Sequence, residues 1–207
     1  MIENMDVQLF LRLYSLAKES DFLGDWMIVI TNLSSTFFAV LYFGLLLTLL
    51  IKKDRKIIPA LFGPFTAFIM VYAIRFFYHR PRPFMALDIE SLIYHEASGS
   101  LPSMHATSAF AIAAALYYVH KKSGFFALAL AALTGLSRVM VGVHFPLDIL
   151  MGCLLSLFVV KGTYGFFSGN KIFHQTTGIL SFFKVFNVFK ALLGGFYDGS
   201  TNEKNTK

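Results

Sequence analysis

The sequence predicts an all-α integral membrane protein, a bundle of five to six transmembrane helices with its polar residues gathered near one face. Three observations carry that expectation. The 207 residues are 56% hydrophobic and only 14% charged, well outside the average of soluble domains. Residues 26–51 contain no charged side chain, and such a run is about 39 Å long as a helix, enough to cross a ~30 Å hydrocarbon core with tilt. Arginines, histidines and an aspartate recur in short stretches beside apolar runs, where each costs roughly 2.5–3.5 kcal/mol to insert and calls for a partner. The length suits one domain.

Composition also excludes classes. The net charge of +6 comes from lysines beside hydrophobic runs, where they act as topology signals, so nucleic acid is not an expected partner. Cys153 is the single cysteine, which rules out an intramolecular disulfide framework and fits a small buried side chain. Residues 1–25 carry more acids than bases, unlike the basic start of a cleavable signal, so the first membrane helix is expected to direct insertion.

In chain order, Val7 to Ala17 is apolar around Arg12 and too short to span comfortably; it reads as an interfacial or partly inserted helix within residues 1–25. Trp26 to Ile51 is the first span. Lys52, Lys53, Arg55 and Lys56 mark a cytoplasmic turn. Ile57 to Ile74 returns and runs into Arg75, His79, Arg80 and Arg82, a basic cluster on the side where basic residues are disfavoured. Turn residues and acids fill 81–102 before Ser103, His105 and an alanine-rich third span that ends at His120, Lys121 and Lys122. Gly124 to Val143 goes out with Arg138 near its outer end, and His144 to Val160 comes back to Lys161. The core is therefore expected over 26–167. Residues 168–207 carry phenylalanines at helical spacing with lysines off the stripe, an amphipathic cytoplasmic helix followed by a polar tail.

This threading puts every unusual polar residue on the non-cytoplasmic side, where a candidate active site forms. His144 and Asp148 are four apart, so on one helix face the carboxylate holds one imidazole nitrogen and leaves the other free to react. Ser103 stands at the N-cap of an apolar helix, and Pro146 marks a second helix start, so two helix N-termini face one site. Arg75, Arg82 and Arg138 supply planar forks suited to phosphate oxygens. The expected chemistry is attack on phosphorus by His144, oriented by Asp148, with His105 as acid and base; Arg75, Arg82, Arg138 and Ser103 hold the transferring group. No metal or other cofactor is expected, because the acids do not form a magnesium-binding set and arginines neighbour the histidines.

Arg75 with Arg82 and Pro83, Pro102 to His105, and Ser137 and Arg138 with His144 and Asp148 together resemble the tripartite signature of the type 2 phosphatidic acid phosphatase superfamily. The resemblance covers roughly residues 57–160. It implies a metal-independent lipid phosphatase in which the last histidine is the nucleophile, the middle one the acid and base, and the arginines and serine hold phosphate. The short chain, Arg82 to Phe84, and Val141 to Asp148 are similar to bacterial undecaprenyl-diphosphatases of the bacitracin-resistance type. That implies a multi-pass protein of the bacterial cytoplasmic membrane with its active site outside, hydrolysing undecaprenyl diphosphate. Phosphatidylglycerophosphate or phosphatidic acid is the alternative substrate, and a non-catalytic lipid-phosphate binder or transporter the alternative class. Two positions depart from the signature: Arg75 replaces the usual lysine, and Met104 replaces the usual glycine between serine and histidine. The family core has six spans, for which Val7 to Lys18 is the extra candidate. Off the motif spacing, His79 and Arg80 read as interfacial snorkelling residues, His95 as solvated, His120 as a boundary residue and His174 as part of the tail.

Overall fold

The computed structural model describes residues 2–169. Among them there are seven helices and no strand: α1 (Ile2–Glu19), α2 (Asp21–Ile51), α3 (Ile57–Phe77), α4 (Pro83–Ala86), α5 (Met104–Val119), α6 (Lys121–Met140) and α7 (Pro146–Gly169). Four of them, α2, α3, α6 and α7, are long and apolar enough to cross a membrane, and α5 is a shorter apolar helix. The carboxy-terminal helix expected over 168–207 lies, from residue 170 on, outside the described residues.

α5 is the axis of the bundle, packed against α2, α3, α6 and α7. Its sequence explains the position. Alanines 106, 109, 111, 113, 114 and 115 are all buried, so the helix is small and apolar on every side and its neighbours approach closely. Bulk lies outside: Phe43, Phe76, Phe77, Phe126 and Phe158 are each at least 70% exposed, the arrangement of a bundle whose solvent is hydrocarbon.

Local signals set the helix ends. Ser20 accepts from the Leu23 amide (3.4 Å) and Asp21 follows in the first turn, so α2 starts before the uncharged run, one residue after α1. His120 caps α6 by accepting from the Ser123 amide. α7 continues past Lys161 because Lys161 is exposed while Tyr164 stays buried, stacked on Tyr118 with ring centroids 4.4 Å apart.

α1 is a full helix with one buried face. Asp6, Phe10, Tyr14 and Ala17 are all under 9% exposed, and their spacing of four, four and three lines one side of a helix. That stripe packs on the turn between α6 and α7, where Phe10 and Tyr14 join Val139 and Phe145 in one cluster. The turn needs Gly142, whose φ of +88° suits a residue without Cβ and whose open side meets the Tyr14 ring and the Ser91 backbone.

At the start of α5 the crossing with α7 is equally close. A Cβ on Gly152 would lie 2.7 Å from Thr107 Oγ1 and 3.3 Å from the Ser103 carbonyl. Gly152→Ala should lower stability by about 1–3 kcal/mol, seen as a lower melting temperature in detergent. Gly44→Ala, where nothing lies within 4 Å, should leave it unchanged or raise it.

Candidate active site

The site is built around Asp148, in the first turn of α7 and fully buried. Its Oδ2 accepts from the Phe145 amide (2.8 Å) and from the Ser100 hydroxyl, and lies 3.4 Å from His144 Nδ1. Its Oδ1 accepts from Arg80 Nη1 (2.8 Å). A carboxylate so placed draws a proton to His144 Nδ1, where the Ser100 oxygen (3.3 Å) is a second acceptor. The opposite ring nitrogen, Nε2, faces Arg82 Nη1 at 3.1 Å; a guanidinium can only donate, so Nε2 carries the lone pair. Both ends of the imidazole thus agree on one tautomer.

Arg82, 1% exposed, is the clamp of the loop over the site. Nε donates to the Ser98 carbonyl (3.1 Å), Nη1 to the Val143 carbonyl (3.0 Å) and Nη2 to the Ser98 hydroxyl (3.1 Å). Burial, with Arg75 nearby, lowers its guanidinium to about 10, leaving it cationic at neutral pH. Burial also pushes the His144 imidazole down, to about 3; the bond to Asp148 opposes the shift and the Arg82 charge adds to it. His144 is therefore neutral at neutral pH, with its Nε2 lone pair directed at Arg82.

Arg138 ends α6 beside this pair. Its carbonyl accepts from the Val143 and His144 amides, holding the turn that carries His144. Its Nη1 donates to Thr31 Oγ1 (3.0 Å), while Nε and Nη2 are buried without a protein partner. Buried guanidinium donors left unpaired are costly and mark a place suited to an anion. Ser103 caps α5, accepting from the Ala106 amide (3.5 Å), and its own amide donates to the Asp148 carbonyl (3.1 Å). The two helix N-termini accordingly meet, as the spacing anticipates.

Arg75 brackets this junction, with Nε and Nη2 both on the Pro102 carbonyl (3.2 and 2.8 Å). His105 is the site residue outside the His144 network. It lines a cavity of about 340 Å³ between α2, α5 and α6, with Phe38, Met104 and Ile112 among the walls, yet it remains within electrostatic reach of Arg138, His95, Arg82 and Arg75.

Two sequence-based readings are corrected. Arg80 is no snorkelling residue: its side chain is 13% exposed and ion-paired to both Asp148 and Asp6. His95 is not freely solvated; its ring stands edge-on to His144 with centroids 6.4 Å apart, and burial, together with the nearby Arg82, lowers its pKa. Ser98, Ser100 and Asp6 are participants that sequence reasoning missed. The serines sit in a loop of ordinary turn composition, and Asp6 is 74 residues from its partner, so neither shows a spacing signal.

These features of fold and site define a membrane-embedded enzyme of the phosphoryl-transfer type, and comparison with known proteins agrees. The model of the PAP2 superfamily matches residues 56–172, more than half of the chain, and the protein belongs to that superfamily. It is 28% identical over 155 residues to undecaprenyl-diphosphatase BcrC of Bacillus subtilis (strain 168), covering 75% of this chain and 80% of that one. The fold is similar to that of Aquifex aeolicus LpxE, with a TM-score of 0.66 and 25% identity over 77% of this chain and 94% of that one. It is also similar to a PAP2-type phosphatidylglycerolphosphate phosphatase from Bacillus subtilis, with a TM-score of 0.67 and 24% identity over 82% and 88% of the two chains. The chain is a PAP2-type lipid phosphatase of the membrane.

An unfolded histidine takes up its proton near pH 6.5, whereas folded His144 resists protonation down to about 3. Protons thus favour the unfolded chain. The stability this group contributes is complete above about pH 6.5 and is lost as the pH falls toward 3. Melting curves from pH 7 to pH 4.5 should fall less steeply for His144→Gln than for the parent protein.

Proposed function

We propose that this protein removes the terminal phosphate of a polyprenyl diphosphate, undecaprenyl diphosphate before others, leaving the lipid monophosphate and inorganic phosphate. The observation that carries the mechanism is the single tautomer of His144, with Nε2 unprotonated, together with the unpaired donors of Arg138, whose charge reaches the imidazole. Nε2 attacks the terminal phosphorus as the bridging P–O bond breaks, and His105 gives a proton to the departing lipid phosphate oxygen. His105 then takes a proton from water, whose oxygen attacks the phosphohistidine; the P–N bond breaks and His144 returns to neutrality. Arg82 Nη1, which rests on Nε2, moves to a phosphate oxygen when substrate docks and so uncovers the nucleophile. Arg138, Arg75 and Ser103 share the remaining charge. Guanidinium groups supply the positive charge of this scheme, and no metal ion enters it.

The lipid assignment rests on the similarity to BcrC and on the cavity beside His105. An acid that protonates the leaving oxygen must stand next to the lipid side of the broken bond. The apolar cavity runs from His105 down to Ile112, about 10 Å along α5, which suits the first prenyl units. Met104 forms part of its wall, giving the replacement of glycine a role in selecting the chain.

Orientation follows from charge. Lys56 Nζ donates to the Tyr118 carbonyl (3.2 Å), so the basic α2–α3 turn and the lysines that open α6 share the end opposite the site. Basic loops stay in the cytoplasm. This supports an outward-facing site in the cytoplasmic membrane of a bacterium.

The test is phosphate release by purified protein in EDTA, offered undecaprenyl diphosphate, phosphatidylglycerophosphate and phosphatidic acid side by side. Release from the diphosphate should be fastest, should resist EDTA and should fall by at least about 10³-fold in His144→Ala. Faster release from either phospholipid would reassign the substrate, and no release above His144→Ala from any of the three would point to a binder. Met104→Gly should change the ratio of kcat/KM for undecaprenyl and farnesyl diphosphates by about 3–10-fold, measured by competition. An unchanged ratio would remove Met104 from chain selection.

A further inference from the structure

The polar network does not end at Asp148. Arg80 Nη1 holds Asp148 Oδ1 (2.8 Å) and its Nη2 holds Asp6 Oδ2 (2.6 Å), so one guanidinium fork spans two carboxylates from distant parts of the chain. Asp6 Oδ1 in turn accepts from the Leu147 amide (2.8 Å), a first-turn donor of α7 that has no partner within its own helix. The Arg80 guanidinium also lies 4.3 Å over the Phe145 ring, and Phe10 packs edge-on to that ring at 5.3 Å. α1 thus touches the helix that carries Asp148 through an acid, an amide and an aromatic ring.

We infer that Asp6 and Arg80 are a positioning pair for Asp148, in which the amino-terminal helix, outside the matched family region, supplies the acid that keeps the carboxylate both oriented and effective. Charge shows why two residues are needed. Arg80 alone would fix Asp148 but neutralise it. With Asp6 on the other prong, the three charges sum to −1, so the Nδ1 side of His144 still faces a net negative field while Arg82 and Arg138 bear on the ring with the opposite sign. When Nε2 bonds to phosphorus while Nδ1 keeps its proton, the ring gains a positive charge that this field stabilises. Neither Asp6 nor Arg80 need touch the substrate.

The experiment measures kcat and KM for Asp6→Asn, Arg80→Gln, Arg80→Lys and the Asp6→Asn/Arg80→Gln double variant of the full chain. The substrate is whichever lipid phosphate the parent protein turns over fastest, and each rate is normalised to folded protein. Asp6→Asn should lower kcat about 10-fold and Arg80→Gln about 30–100-fold, with KM within about 2-fold in both. Arg80→Lys, which keeps the charge and loses the fork, should fall between parent and Arg80→Gln. The double variant should be no slower than Arg80→Gln, because both residues act through one contact. Asp6→Asn is nearly isosteric, so it decides the matter even if Arg80→Gln does not fold.

An unchanged kcat in Asp6→Asn, losses that multiply in the double variant, or a raised KM at constant kcat would overturn the pair. Because the pair acts on the His144 nucleophile proposed above, His144→Ala is run alongside. Turnover in that variant would remove the nucleophile and the pair together, whereas a dead His144→Ala beside a fully active Asp6→Asn would overturn the pair alone.

Discussion

A buried carboxylate organises this protein. Asp148 is wholly removed from solvent, and leaving such a charge unpaired would cost several kcal/mol. Four parts of the chain settle it: the α6–α7 turn through the Phe145 amide, the α4–α5 loop through Ser100, the α3–α4 loop through Arg80, and α1 at one remove through Asp6. Because the partners come from four parts of the chain, satisfying the charge and closing the site are a single event. The chemistry and the fold therefore share a cause.

The opposite arrangement holds at Arg138. Its charge is buried beside His144 with two donors unpaired, a cost that an incoming phosphate can remove. The acid is satisfied by the protein, and the base is left for the ligand. That asymmetry lets the site be rigid around His144 and still attract an anion.

Much of this was legible in the sequence because cost is legible there. Ionisable residues within apolar runs are expensive, and His144, Asp148, Arg82, Arg138 and Ser103 stand out for that reason; the structure places all five together. The order of the five apolar helices α2, α3, α5, α6 and α7 followed from uncharged runs and basic turns, whereas the short α4 lies in a stretch that reads as loop. What escaped was whatever depended on distance along the chain. Asp6 looks like any acid near an amino terminus, and only the stripe with Phe10 and Tyr14 shows that its face is buried. Arg80 was discounted because it lies off the motif spacing, although spacing reports shared ancestry of a motif and not the reach of a side chain. Ser98 and Ser100 are small polar residues in a loop, where such residues are common for turn formation alone.

One dimension of the bundle bears on where in the membrane the protein works. α5 has 16 residues, about 24 Å of helix, against roughly 30 Å of hydrocarbon in a typical bilayer. Measured from the basic end, where α5 gives way to α6, the helix is about 6 Å shorter than that core, and Ser103 caps its far end. A fixed helix in a bilayer of variable thickness is matched by tilt or by local thinning of the lipid, so the membrane around the bundle, as well as the bundle itself, sets how far Ser103 stands from the headgroups.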